Sequence, residues 1–235
     1  MNNLQTISKI TGFGYLVIFV TGFFSNFFVL ENMLVPGDGA MTVANILNND
    51  SLYRTGIFSF ILMVLVDVLL AWTLYMILLP VNRYISLLSG WLRLVNGVIF
   101  GIALYNVIVV LKLLGKNDYI TAFSTDQLHA QVMLSFETFN ITWLIGLIFF
   151  GLHLLVLGYL IYKSDYISKI IGILLFVAGI GYLIDSFANF LLPDYANYKD
   201  IFLMIVIVPG IIGELSLTFW LLFKSKRIPE LMEAL

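Results

Sequence analysis

The run from Val132 to Ile161, VMLSFETFNITWLIGLIFFGLHLLVLGYLI, decides the fold. Its apolar residues are continuous and do not alternate, so it does not read as a strand of a membrane barrel. A hydrocarbon core about 30 Å thick needs roughly 20 apolar residues in a helix, and this run supplies them. Working outward, five further stretches do the same: Ile10 to Val29, Thr55 to Leu79, Leu87 to Leu111, Ile167 to Leu192 and Ile201 to Phe223. The expectation is an all-α integral membrane protein, a single domain over residues 1–235 with six transmembrane helices. The first stretch is expected to be a retained helix and not a signal peptide, because it is long and lacks a small-x-small cleavage pattern.

Composition agrees. Of 235 residues, 61% are hydrophobic and 11% charged, and mean hydropathy is +1.01. An ordinary soluble domain is about 45–50% apolar and about 25% charged, so a globule in water could not hide the surplus. A nucleic-acid binder, a disordered chain and a disulfide scaffold are excluded, the last by 0 Cys. The same absence removes thiolate metal sites and thiol nucleophiles.

Orientation follows from Lys and Arg in short loops. Lys9, Arg83, Lys163, Lys169, Lys224, Lys226 and Arg227 fall on one side, while Arg54, Lys112, Lys116 and Lys199 fall on the other with Asp38, Asp50 and Asp118. Both termini are therefore expected in the cytoplasm. In the first outer loop, the turn Pro36-Gly37-Asp38-Gly39 precedes Val43, Ile46 and Leu47 at helical spacing, which predicts a short interfacial helix.

A phrase of the form I-S-x-[IL]-x-G recurs at Ile7-Gly12, Ile85-Gly90 and Ile167-Gly172, with starts 78 and 82 residues apart. Each copy opens an odd-numbered span from the same side. Three parallel helical-hairpin repeats would produce that spacing, and so would a coincidence of good caps and common membrane residues.

Ionisable groups in hydrocarbon cost roughly 2.5–3.5 kcal/mol each even on a lenient insertion scale, so those within the spans carry the functional expectation. Asp67, Arg93, His153, Asp185 and Glu214 lie well inside. At about 1.5 Å per residue, His153 and Glu214, each ten residues before a matching Lys-Ser exit, are near the midplane, and matching those exits aligns His153 with Glu214. Polar stripes accompany them: Arg93, Asn96, Gly97 and Gly101, where Gly97 and Gly101 form a GxxxG pair suited to close helix contact; Tyr182, Asp185, Ser186 and Asn189; and Gly210, Glu214 and Thr218 after Pro209. All five ionisable groups are expected to converge on one polar cavity, with Arg93 meeting at least one carboxylate. Glu137 is expected apart from them, at the outer mouth. One Arg cannot neutralise three acids, so the remainder must protonate, meet water or meet a ligand. No cofactor or metal is expected, because His129 and His153 are the two histidines and no zincin, nucleophile-elbow or P-loop pattern occurs.

Several phrases are similar to a known family. Val35-Pro36-Gly37-Asp38, Tyr53-Arg54-Thr55-Gly56-Ile57, Phe149-Phe150-Gly151-Leu152-His153 continuing to Leu157-Gly158-Tyr159-Leu160, Gly181-Tyr182-Leu183-Ile184-Asp185-Ser186-Phe187, and Gly213-Glu214-Leu215 resemble an uncharacterised bacterial multi-spanning family, domain of unknown function 4386. The resemblance runs over nearly the whole chain and implies a bacterial plasma-membrane protein of this architecture. It carries no reaction.

Three functions remain in competition. The first is binding or transport of a small solute, cation or proton at the ionisable cluster. The second is a membrane-embedded enzyme acting on a lipid or isoprenoid. The third is a scaffold or regulatory subunit whose polar core is structural. Membrane lipids and a small-molecule or ion ligand are the expected partners, nucleic acid is not, and oligomeric state is left open.

Overall fold

Hydrocarbon offers the backbone no hydrogen-bonding partner, so a spanning segment must satisfy its own amides and carbonyls by forming a helix. A computed structural model of the chain describes residues 3–115 and 122–228; Lys116 and Asp118 of the orientation argument lie outside them. It contains six helices long and apolar enough to cross a membrane. The first span is α1 (Asn3–Phe23), a π-helical stretch (Phe24–Leu30) and the single turn α2 (Glu31–Met33). The others are α4 (Asp50–Leu78), α5 (Arg83–Leu113), α6 (Thr125–Lys163), α7 (Lys169–Leu191) and α8 (Lys199–Phe223). Most overrun the apolar windows expected from sequence, α6 reaching 39 residues, because polar end residues extend a helix that the hydrophobic signal alone truncates. Large side chains such as Phe13, Phe58, Leu65, Ile102 and Ile170 are more than half exposed, an arrangement suited to lipid and not to water.

The expected loop helix is α3 (Gly39–Asn48). Asp38 caps it, accepting a hydrogen bond from the Met41 amide at 2.8 Å. Gly37, at φ 78°, turns the chain into the cap. Thr42, Val43 and Ile46 are buried, whereas Leu47 of the expected apolar set is exposed. Pro209 does not break α8. It removes the amide that would have bonded the Ile205 carbonyl, and Gly181 of α7 faces that carbonyl so closely that a Cβ would come within 2.8 Å of it.

The chain forms two units. One comprises the described residues of Ile18–Leu65 and Val98–Trp143. Its interior is aromatic: Trp143 stacks on Phe100 with centroids 3.7 Å apart and meets Phe60 edge-on at 5.6 Å. Buried Tyr53 donates to the Val107 carbonyl, and Ser25 in the π-helical stretch donates to that of Gly56.

The other unit comprises the described residues of Met1–Val17, Val66–Gly97 and Leu144–Leu235. Here α6 and α7 meet backbone to backbone. A Cβ on Gly158 would lie 2.6 Å from the Gly172 carbonyl oxygen, and one on Gly179 would lie 2.7 Å from that of Gly151. The expected GxxxG pair behaves differently: Cβ atoms on Gly97 and Gly101 would meet neighbours at 3.6 and 3.9 Å, ordinary contact distances. The close approach belongs to the glycines spaced seven apart on α6 and α7.

The recurring phrase has a common geometry in this unit. A Cβ on Gly12 would meet Thr218 O and Leu222, one on Gly90 would meet Ala71 O and Tyr75, and one on Gly172 would meet Gly158 O and Tyr162. Each glycine therefore seats on a carbonyl and on the residue four further along an even-numbered span. In this register Asp67 and Glu214 are equivalent, both four residues before the contacted carbonyl, and their counterpart in α6 is Leu154. His153 is one position away from the alignment expected from the span exits.

Candidate functional site

Arg93 is the centre of the second unit. Ser89, Arg93, Asn96 and Gly97 follow helical spacing along α5, and this face is buried: Arg93 is 1% exposed, and Ser89 and Asn96 are covered as well. A guanidinium cannot remain there without compensation, and several groups supply it. Nη2 donates to Asp67 Oδ1 of α4 at 2.6 Å, an ion pair between groups that are both buried. Nη1 points at Tyr15 Oη of α1 at 3.3 Å and at His153 Nε2 of α6 at 3.2 Å. The guanidinium carbon lies 5.1 Å from the Tyr15 ring centroid and 5.6 Å from that of Phe150, each within reach of cation–π attraction.

These contacts fix the imidazole. A guanidinium has donors and no acceptor, so Nε2 of His153 accepts, and the ring proton is on Nδ1. Nδ1 donates to the Ser89 carbonyl at 2.9 Å with Ser89 Oγ at 3.1 Å. His153 is thus a neutral, oriented acceptor. A second proton would set an N–H against the Arg93 N–H.

The arrangement is not fully paired. Arg93 Nε and Asn96 Oδ1 are buried without a hydrogen-bond partner, although Asn96 Nδ2 donates to the Gly146 carbonyl at 3.1 Å. Glu214 of α8 is half-buried. It is close enough to act electrostatically on Arg93, Tyr15 and Asp67, yet it forms no ion pair with Arg93 and its carboxylate accepts no hydrogen bond among the described residues.

Of the five residues singled out from sequence, Asp67, Arg93 and His153 are in direct contact and Glu214 stands beside them. Asp185 does not join. It is half-buried, and its Oδ1 accepts from Tyr195 Oη at 2.6 Å. Tyr195 is in the loop between α7 and α8, where burial first and the bond to Asp185 next push its phenol up to about 12. Tyr182 is close enough to both acids to feel their charge and packs edge-on against Phe150 at 5.2 Å. Glu137 is exposed, apart from the cluster. Among the described residues, no three His, Cys, Asp or Glu side chains are grouped to hold a metal ion.

Sequence reasoning missed Tyr15, Ser89 and Phe150 as members. A signal for Tyr15 existed: it follows Gly12 by three residues, as Arg93 follows Gly90. The two copies of the phrase place hydrogen-bonded partners at the same offset.

The family profile described as a domain of unknown function (DUF4386) matches residues 10–225. An uncharacterized protein of the archaeon Archaeoglobus fulgidus is 34% identical over 171 residues, covering 73% of this chain and 84% of that protein. No solved structure matches.

Proposed function

The chain belongs to the family described as a domain of unknown function (DUF4386), and we propose that it binds and moves a proton or small cation across a membrane, with Glu214 as the exchanging group. Asp67, Arg93, His153 and Tyr15 are the fixed part of this site. The observation that carries the reading is the unpartnered Glu214 carboxylate beside a cation whose charge Asp67 already balances. A surplus acid in low dielectric takes up a proton, recruits water or captures a cation. Each of those events alters the field at Arg93. The hydrogen-bonding capacity left open at Arg93 Nε and Asn96 Oδ1 supports a place for water in the exchange. In this reading the neutral His153 orients Arg93 and does not carry the transferred proton. The distribution of Lys and Arg favours an orientation with both termini in the cytoplasm.

Reconstitution of the full chain in liposomes tests the proposal. With an imposed potential and an internal pH dye, the native protein should acidify or alkalinise the lumen faster than empty liposomes. Glu214→Gln should lose that increment and Asp185→Asn should keep it. Native protein indistinguishable from empty liposomes, with both protons and monovalent cations as drivers, would remove the transport reading.

A further inference from the structure

Away from the ionisable cluster, two depressions in the same unit share one residue. The first is a polar cavity of about 700 Å³ at the end of α6, lined by Asn82, Tyr159, Lys163, Asp165, Tyr166 and Arg227 among others. Lys163 and Arg227 bring two positive charges and Asp165 one negative. Among the described residues neither cation forms an ion pair. Lys163 Nζ lies 6.0 Å from the Tyr159 ring centroid. Tyr166 donates its hydroxyl to the Ile77 carbonyl at 2.7 Å, and burial raises its phenol, so this wall stays neutral. The second depression is a groove of about 210 Å³ with no polar lining. Gly158 and Gly172 form its floor and Tyr162, Phe176 and Val177 its walls. It exists because the glycines bring α6 and α7 together without side chains between them.

Tyr159 lines both depressions. The apolar groove and the cationic cavity therefore adjoin the same aromatic residue, and beside the groove Lys169 Nζ lies 5.6 Å from the ring centroid of Tyr162, which lines it. An excess of cations next to an apolar channel, with tyrosines at the junction, is complementary to a molecule with an anionic head and an acyl chain. We propose that this is a specific binding site for an anionic phospholipid, its phosphate between Lys163 and Arg227 and one acyl chain along Gly158 and Gly172. The site is independent of Glu214 and of any transport.

The test uses full-length protein in detergent with dioleoyl phosphatidylglycerol, dioleoyl phosphatidylcholine and soluble glycerol phosphate as probes, and reads binding by native mass spectrometry and the shift in melting temperature. Phosphatidylglycerol should be retained and should raise the melting temperature more than phosphatidylcholine does. The exposed pair Lys163→Gln/Arg227→Gln should weaken phosphatidylglycerol retention roughly 30-fold, at about 1 kcal/mol per cation, and weaken that of phosphatidylcholine, whose choline offsets its phosphate, much less. Equal retention of both lipids, or an unchanged preference in the double variant, overturns the proposal. So does glycerol phosphate matching phosphatidylglycerol, which would assign the cavity to a water-soluble phosphate.

Discussion

Replacing Arg93 by Met tests the site's interior most sharply. The change keeps an unbranched apolar stem and deletes a guanidinium that is 1% exposed and paired to an Asp67 that is 4% exposed. Breaking a buried pair from one side costs about 3–5 kcal/mol, because the remaining charge keeps its desolvation penalty. The two ring contacts contribute further, up to about 2 kcal/mol each when dry, but a methionine sulfur against Tyr15 and Phe150 restores part of that. The single variant should therefore lose about 3–5 kcal/mol. Adding Asp67→Leu removes the stranded carboxylate and should return stability to within about 2 kcal/mol of the native chain, since a buried ion pair and its apolar replacement are commonly close in energy. The groups left short are His153 Nε2 and Tyr15 Oη, each of which loses its donor at about 1 kcal/mol. Reversible unfolding in mixed micelles, run as a double-mutant cycle, measures the coupling directly. An Arg93→Met loss below about 1 kcal/mol, or a double variant no better than the single, would refute the pairing argument.

Other expectations follow from the same geometry. Gly158→Ala inserts a Cβ 2.6 Å from the Gly172 carbonyl oxygen and should cost about 1–3 kcal/mol in the same unfolding assay. Gly101→Ala, whose nearest neighbour would be 3.9 Å away, should change stability by less than about 0.5 kcal/mol or improve it. Asp38→Ala removes the cap of α3 and should cost about 1 kcal/mol, read as faster amide exchange at residues 39–42. Tyr195 has a raised phenol, so its contribution is complete below the ordinary tyrosine range, near pH 10, and is lost as pH rises through about 12. An ultraviolet absorbance titration should find its ionisation moved down in Asp185→Asn, which keeps the burial and removes the charged acceptor.

The span count was legible because the spanning pattern is a matter of length and continuity, and nothing else in the chain competes with it. Asp67, Arg93 and His153 were legible for an energetic reason: the cost of a charge in hydrocarbon makes any ionisable residue in a span conspicuous. Conspicuousness does not specify direction. Asp185 and Glu214 have similar settings in sequence, yet a tyrosine in the α7–α8 loop holds one while the other is within electrostatic reach of Arg93 without bonding it. That difference depends on where the loop folds back. Tyr15 and Phe150 escaped notice because aromatic residues are abundant here, with Phe 20 and Tyr 12 in the chain, and an aromatic chosen to stack on a guanidinium looks like any other. The GxxxG expectation failed for a related reason. A pair of glycines permits close approach but does not bring a partner backbone onto it: Gly151 and Gly158 have one at Gly179 and Gly172, whereas Gly97 and Gly101 meet only side chains at ordinary distances.

Infrared difference spectroscopy on the reconstituted full chain tests the central claim most directly. Stepping the pH from acid to alkaline should change a carboxylic-acid C=O band that disappears in Glu214→Gln and persists in Asp185→Asn, because among the described residues the Glu214 carboxylate has no hydrogen-bond or ion-pair partner whereas Asp185 is held by Tyr195. A spectrum in which no such band changes, or in which the band survives Glu214→Gln unaltered, would contradict Glu214 as the exchanging group.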